Sequence, residues 1–264
     1  MKTRVKQLVF WMSILVCSGA LFGFVNMQRT ATICNESRVE ILGEKGIHFI
    51  SEKDIYDLLY SKGFRIKDRK AKDINLMAIE AEVNRHPAVK DAQVFYDAKG
   101  VLVIRALQHS PMLRIIDTKA DSYYLDETGA FMPLIPEFTA RVPVASGNIT
   151  ESIQHTSIAD IMKNDSLARV SVLDDLFLIT EAARKDTFIW SQLEQLHVLP
   201  DGDIEFIPVI GPGRILLGSA ENIEDKFSRL RLFYRQALPK AGWNAYSALN
   251  LKYNKQIICT QNTN

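Results

Sequence analysis

The chain has 264 residues, a formal net charge of +1 and 47% hydrophobic residues, which bounds it to one or two packed domains and excludes a global basic field for nucleic acid. Three cysteines are too few for a disulfide-dense secreted scaffold.

The chain opens on an apolar run at residues 8–25, with no charged side chain between Lys6 and Arg29. About 20 such residues at roughly 1.5 Å rise span a hydrocarbon core of about 30 Å. Lys2, Arg4 and Lys6 precede the run without an acid among them. The positive-inside bias then leaves residues 1–7 in the cytoplasm, a single transmembrane helix over 8–28, and the rest outside. A cleaved signal peptide competes, with Ser18, Gly19 and Ala20 as its small-residue site. Residues 21–25 carry the run past that site, which favours the uncleaved anchor. Val16 is too bulky to precede a lipidated Cys17, and no bond between Cys34 and Cys259 is expected.

Residues 35–108 read as β-α-α-β-β. Arg38, Val39, Glu40 and Ile41 alternate as a strand. Ser51 caps a helix with Asp54 three residues on, Ile50 is placed to staple onto Ile55, and Ile55, Leu58 and Leu59 form its apolar face. Gly63 suits the left-handed position after that helix. A second helix starts near Asn75, with Leu76, Ile79 and Val83 on one side, and Pro87 ends it. Residues 89–96 and 101–106, joined by Asp97, Ala98, Lys99 and Gly100, read as a hairpin. This order, with the step from His86 and Pro87 into the hairpin, resembles a POTRA domain, an adaptor whose sheet edge can accept another chain's strand.

Residues 109–264 read as mainly antiparallel β with flanking helices, so the fold class is α+β. Strands are expected at 112–116, 122–126 and 130–134. Residues 141–144 read as an edge strand because of Pro143, and 146–166 as a polar surface excursion. A helix follows on Leu173, Leu176, Phe177, Thr180 and Ala183, with Asp174 and Asp175 near its start. Strands at 196–199, 204–209 and 214–217 come next. A helix over 222–237 carries Ile223, Phe227, Leu230 and Tyr234 on its apolar face, with Lys226, Arg229 and Arg231 lying elsewhere. Residues 248–253 and 256–260 close the chain as a hairpin around a two-residue turn at Asn254 and Lys255.

The anchor, the POTRA-like unit, the DETGAFMP stretch at 126–133, the helix IEDKFSRLRLFYRQAL and the closing LNLKY and QIICT runs together resemble the FtsQ/DivIB family of bacterial cell-division proteins. The resemblance implies a non-enzymatic bitopic scaffold of the divisome, at the division septum of the inner membrane, with its large domain periplasmic. It implies two small bitopic partners, FtsB and FtsL. It also implies that the last helix and the closing strands form the FtsB surface, with an edge strand extended by the partner. The tyrosine of the family's DLRY-like segment falls on Tyr253. The candidate partner-binding residues are therefore Tyr234, Lys252, Tyr253, Asn254, Lys255, Gln256, Ile257, Ile258 and Cys259. The closing turn departs from the family pattern in lacking its usual glycine, and Cys259 or Thr260 stands near a family tryptophan. Proline at Ile257 or Ile258 is expected to break strand pairing.

No residues group for catalysis or cofactor binding. The five histidines lie far apart in sequence without metal-ligand spacing. Gly211, Pro212 and Gly213 are too short a run for a phosphate cradle, and Asp174 and Asp175 diverge by about 100° on a helix. Neither cofactor, metal nor small-molecule substrate is expected. The alternative class is a POTRA-bearing binding module of outer-membrane assembly or secretion.

Overall fold

The structure, a computed structural model, describes residues 36–44, 46, 49–135, 138–150 and 171–262, with short pieces at 11–12, 18 and 33–34. The span expected at 8–28 lies outside the described residues apart from 11, 12 and 18. Among the described residues no helix is long and apolar enough to cross a membrane. The chain divides into two compact units, Met1–Gln108 and His109–Asn264.

In the first unit, β1 (Ile33–Cys34) leads into β2 (Ser37–Leu42) and helix α1 (Glu52–Ser61). Ser51 caps α1 in a full capping box with Asp54, and Ile50 and Ile55 on either side of the cap are both buried. After the helix, Gly63 takes φ 83° and Phe64 N–H donates back to Leu59 O at 2.9 Å, closing the last turn. A two-residue β3 (Arg69–Lys70), unforeseen from sequence, pairs antiparallel with β1. Helix α2 (Leu76–Asn84) follows with Asn75 as its cap. Then β4 (Val89–Tyr96) and β5 (Leu102–Gln108) form the expected hairpin, and β2 pairs parallel to β5. The sheet order is β2-β5-β4. One edge of this sheet is plugged: the outward N–H of Val94 on β4 donates to the Glu80 carboxylate of α2 at 3.0 Å.

In the second unit, β6 (Pro111–Ile116), β7 (Ser122–Asp126), β8 (Phe131–Pro133) and β9 (Val144–Gly147) precede helices α3 (Leu173–Lys185) and α4 (Thr187–Gln192). Strands β10 (Leu193–Val198), β11 (Ile204–Pro208) and β12 (Arg214–Gly218) lead to α5 (Ile223–Leu232), a π-turn (Phe233–Ala237) and α6 (Leu238–Ala241). Strands β13 (Tyr246–Asn250) and β14 (Ile258–Gln261) complete it. All nine strands form one sheet in the order β14-β13-β12-β11-β10-β9-β6-β7-β8. A single core joins strand residues such as Leu113, Ile115, Leu196 and Phe206 to Leu176 and Ile179 of α3 and to Phe227 and Leu230 of α5.

Residues 141–144 were expected at an edge, and the structure corrects this. The strand here is β9, in the sheet interior, parallel to β6 on one side and β10 on the other. Pro143 stands just before it and needs no N–H, because there it only accepts, from Arg114 N–H at 2.9 Å. Ser146 and Gly147 belong to β9 rather than to a surface excursion, and residues 151–170 lie outside the described residues.

Three hairpin turns are built to one recipe. Asp97, Asp117 and Asp126 each close a turn in which the N–H three residues on bonds the Asp carbonyl at 3.0 Å. In each, a carboxylate oxygen also accepts from the N–H groups two and four residues on. The position after the turn needs positive φ: Gly100 and Gly129 supply it at 82° and 78°, but Ala120 is forced to 65°.

Candidate partner-binding edge

Among the described residues, the closing strand lies at an open end of the nine-stranded sheet. Among the described residues β14 pairs with β13 alone, antiparallel, in the register Ala248 to Thr260, Leu249 to Cys259 and Asn250 to Ile258. Just past β13, the N–H of Leu251 turns toward β12, donating to Leu216 O at 2.9 Å, and just past β14, Asn262 N–H turns inward to Ala245 O at 3.0 Å. Backbone groups alternate sides along a strand. The N–H groups of Ile258 and Thr260 therefore face β13, and those of Cys259 and Gln261 face the open edge. Proline at Ile258, expected to break strand pairing, would therefore remove a bond of the existing β13–β14 ladder rather than a donor on the open edge.

The expected two-residue turn is also corrected. The connection runs over 251–257, seven residues with Lys255 in the left-handed region at φ 63° and no glycine. It is held from outside by Arg229 of α5. One guanidinium nitrogen donates to the carbonyls of Tyr253 at 2.9 Å and Gln256 at 2.5 Å, and the other to that of Leu251 at 3.1 Å. Nε is spent on Asp225 at 2.8 Å. Asn250 begins the loop by accepting from Lys252 N–H at 3.0 Å. Three carbonyls of one loop thus converge on a planar fork, the geometry for which Arg is suited and Lys is not.

The candidate residues divide accordingly. Tyr253, Asn254, Lys255 and Gln256 are exposed on the clamped loop. Lys252 is exposed but paired with Asp203, and that hydrogen bond raises its pKa. Ile258 is exposed on β14, whereas Ile257 and Cys259 are half-buried against the core. Burial pushes the Cys259 thiol above its ordinary range. Tyr234 does not join them. It is buried, its hydroxyl donates to Ile210 O at 2.8 Å, and its ring meets Phe188 edge-on at 5.4 Å. Burial raises its pKa far above the phenol range, so it stays a neutral strut under the β11–β12 turn.

Sequence reasoning missed Arg229. Its spacing from Asp225 reads as an ordinary surface pair on a helix, and nothing local announces the three carbonyls. Lys226 was also misplaced: it is buried, its ammonium donates to Ser219 O at 2.9 Å, and burial lowers its pKa.

The family model described as FtsQ/DivIB, C-terminal related, matches residues 110–260, which is most of the second unit including β13, the clamped loop and all but the end of β14. The chain belongs to the FtsQ/DivIB family. A POTRA-like domain model matches residues 32–106 of the same chain, in agreement with the β-α-α-β-β unit. Both matched domains are non-catalytic scaffold types, and the FtsQ/DivIB family works in cell division. No curated protein matches the chain.

Proposed function

We propose that this FtsQ/DivIB protein is a non-enzymatic bitopic scaffold of the bacterial divisome, anchored in the inner membrane by residues 8–28. Its second unit lies in the periplasm and receives a strand from the FtsB-type partner on β14, with FtsL held in the same assembly, in support of septal cell-wall synthesis. The observation that carries the reading is the open edge itself. The N–H groups of Cys259 and Gln261 face outward beside a loop whose shape Arg229 fixes. An added strand satisfies such donors, giving affinity through main-chain bonds. Specificity then rests on side chains along the edge, namely Tyr253 on the loop and Ile258 on β14.

The test is capture of the FtsB extracytoplasmic segment by Cys259→Pro and Gln261→Pro variants, with circular dichroism to report folding. Each variant deletes one outward donor and leaves the β13 ladder whole, so the folded protein is expected to lose capture. Folded proline variants that bind as the wild type does would place the partner elsewhere. A fluorescent fusion is expected as a mid-cell band in dividing cells, and uniform envelope signal would count against the divisome reading.

A further inference from the structure

Residues 65–73 read RIKDRKAKD, five basic and two acidic side chains in nine positions. Arg65, Lys67, Arg69, Lys70 and Lys72 are all exposed, and among the described residues no ion pair joins any of them to an acid. The segment is nonetheless built into the first unit. Ile66 is buried, the Tyr96 hydroxyl donates to Ala71 O at 3.4 Å, and β3 is paired to β1. The fold itself requires none of this charge.

The pairing with β1 also sets where the charge sits along the chain. Ile33 lies opposite Lys70 and Cys34 opposite Arg69. Ile33 follows the end of the apolar run, Val25, by only eight residues, which reach about 28 Å at most. A basic segment is therefore tied by a short tether to the surface of whatever bilayer holds residues 8–28.

We infer that residues 65–72 dock on anionic phospholipid headgroups of that bilayer and fix the first unit against the membrane surface. The inference rests on the reading of residues 8–28 as an anchor. Arg65 and Arg69 offer planar forks that match a phosphate, and the three lysines add point charges. Each basic residue near an anionic surface strengthens attachment roughly fivefold. The tether makes the attachment intramolecular, so a patch too weak to recruit a free protein suffices here. Asp68 and Asp73 reduce the charge of the segment without reversing it.

The experiment places the full chain in nanodiscs of phosphatidylcholine alone or mixed with phosphatidylglycerol. An amine-reactive label read by mass spectrometry then reports the lysines one by one. Labelling of Lys67, Lys70 and Lys72 is expected to slow at least about threefold in the anionic discs, and to recover at high salt, where screening is short-ranged. Lys99, exposed on the β4–β5 turn, is expected to be unaffected. The double variant Arg65→Gln/Arg69→Gln keeps the reporter lysines and is expected to remove most of the slowing. Equal labelling in both disc types, equal slowing at Lys99, or slowing that appears only when an acidic protein is added would overturn the inference. Alkaline extraction of the full chain from membranes tests the anchor separately. Release there sinks the anchor reading, whereas a chain that stays anchored yet ignores lipid charge sinks only the docking surface.

Discussion

Replacing Arg229 with alanine removes the clamp on the 251–257 loop and leaves the rest of α5 intact. The bond to Leu251 ends on a buried residue and is charge-assisted, so its loss costs about 1.5 kcal/mol. The carbonyls of Tyr253 and Gln256 are exposed, so water takes them over and each bond contributes about 0.5 kcal/mol. The pair with exposed Asp225 adds about 0.3 kcal/mol. The total is about 3 kcal/mol, and most of it falls on the loop and β14 rather than on the whole unit. Hydrogen exchange is the assay. The β14 amides that bond β13, those of Ile258 and Thr260, are expected to exchange about a hundredfold faster in Arg229→Ala, at about 1.4 kcal/mol per decade. The α3 amides are expected to change little. Arg229→Lys keeps a positive charge for Asp225 but reaches only part of the carbonyl set, and is expected to recover less than half the effect. Wild-type exchange at Ile258 and Thr260 in Arg229→Ala would refute the clamp.

Asp126 provides a pH-dependent contribution. Burial pushes its carboxyl up, but bonds from His109, Thr128 and Ala130 outweigh that and hold it below the ordinary carboxylate range. A lowered folded pKa stabilises above the unfolded value, near pH 4, and the contribution is lost as pH falls through the folded value. The difference in urea midpoint between wild type and Asp126→Asn is expected to shrink below about pH 4; a difference constant from neutral pH downward would contradict this. Ala120→Gly relieves a left-handed alanine at the one turn of the three that lacks glycine, and is expected to raise stability by about 0.5–1 kcal/mol in thermal unfolding. Gly147→Ala is expected to cost more than 3 kcal/mol, since its Cβ would come within van der Waals overlap of the Val198 backbone carbonyl at a φ of 104°. Gly202→Ala has a similarly positive φ and open space around it, and serves as the milder comparison.

The first unit was readable in sequence because its signals are local. The Ser51 box, Gly63, the Asn75 cap and the Asp97–Gly100 turn each act within a few residues of themselves. The second unit was readable in its elements and less so in their placement. Pro143 suggested an edge because proline lacks a donor, yet at the start of this interior strand its carbonyl only accepts, from Arg114 of β6, and no donor is needed. The closing pair of strands is legible in sequence, but the length of its loop is not, because the groups that hold it open come from Arg229, more than twenty residues earlier. Tyr234 shares the helix period that buries Phe227 and Leu230, and periodicity alone does not separate a strut from a contact residue. The β1–β3 pair has two residues a side, too few to leave a pattern.

The position of β9 bears on how the second unit assembles. Strands β6, β7 and β8 follow one another as a meander, as do β10, β11 and β12, and each group pairs among near neighbours in the chain. Among the described residues, the sheet hydrogen bonding joins the two groups through β9 alone. Local meanders close quickly, whereas a parallel strand inserted between them must wait for distant segments to meet. The arrival of β9 is therefore expected to be the slow step, with the β6 and β10 edges left unpaired until it docks. A chain caught at that stage has two sites for pairing with a neighbouring copy. Its aggregation on refolding should rise with protein concentration, and rise further where Gly147 no longer fits.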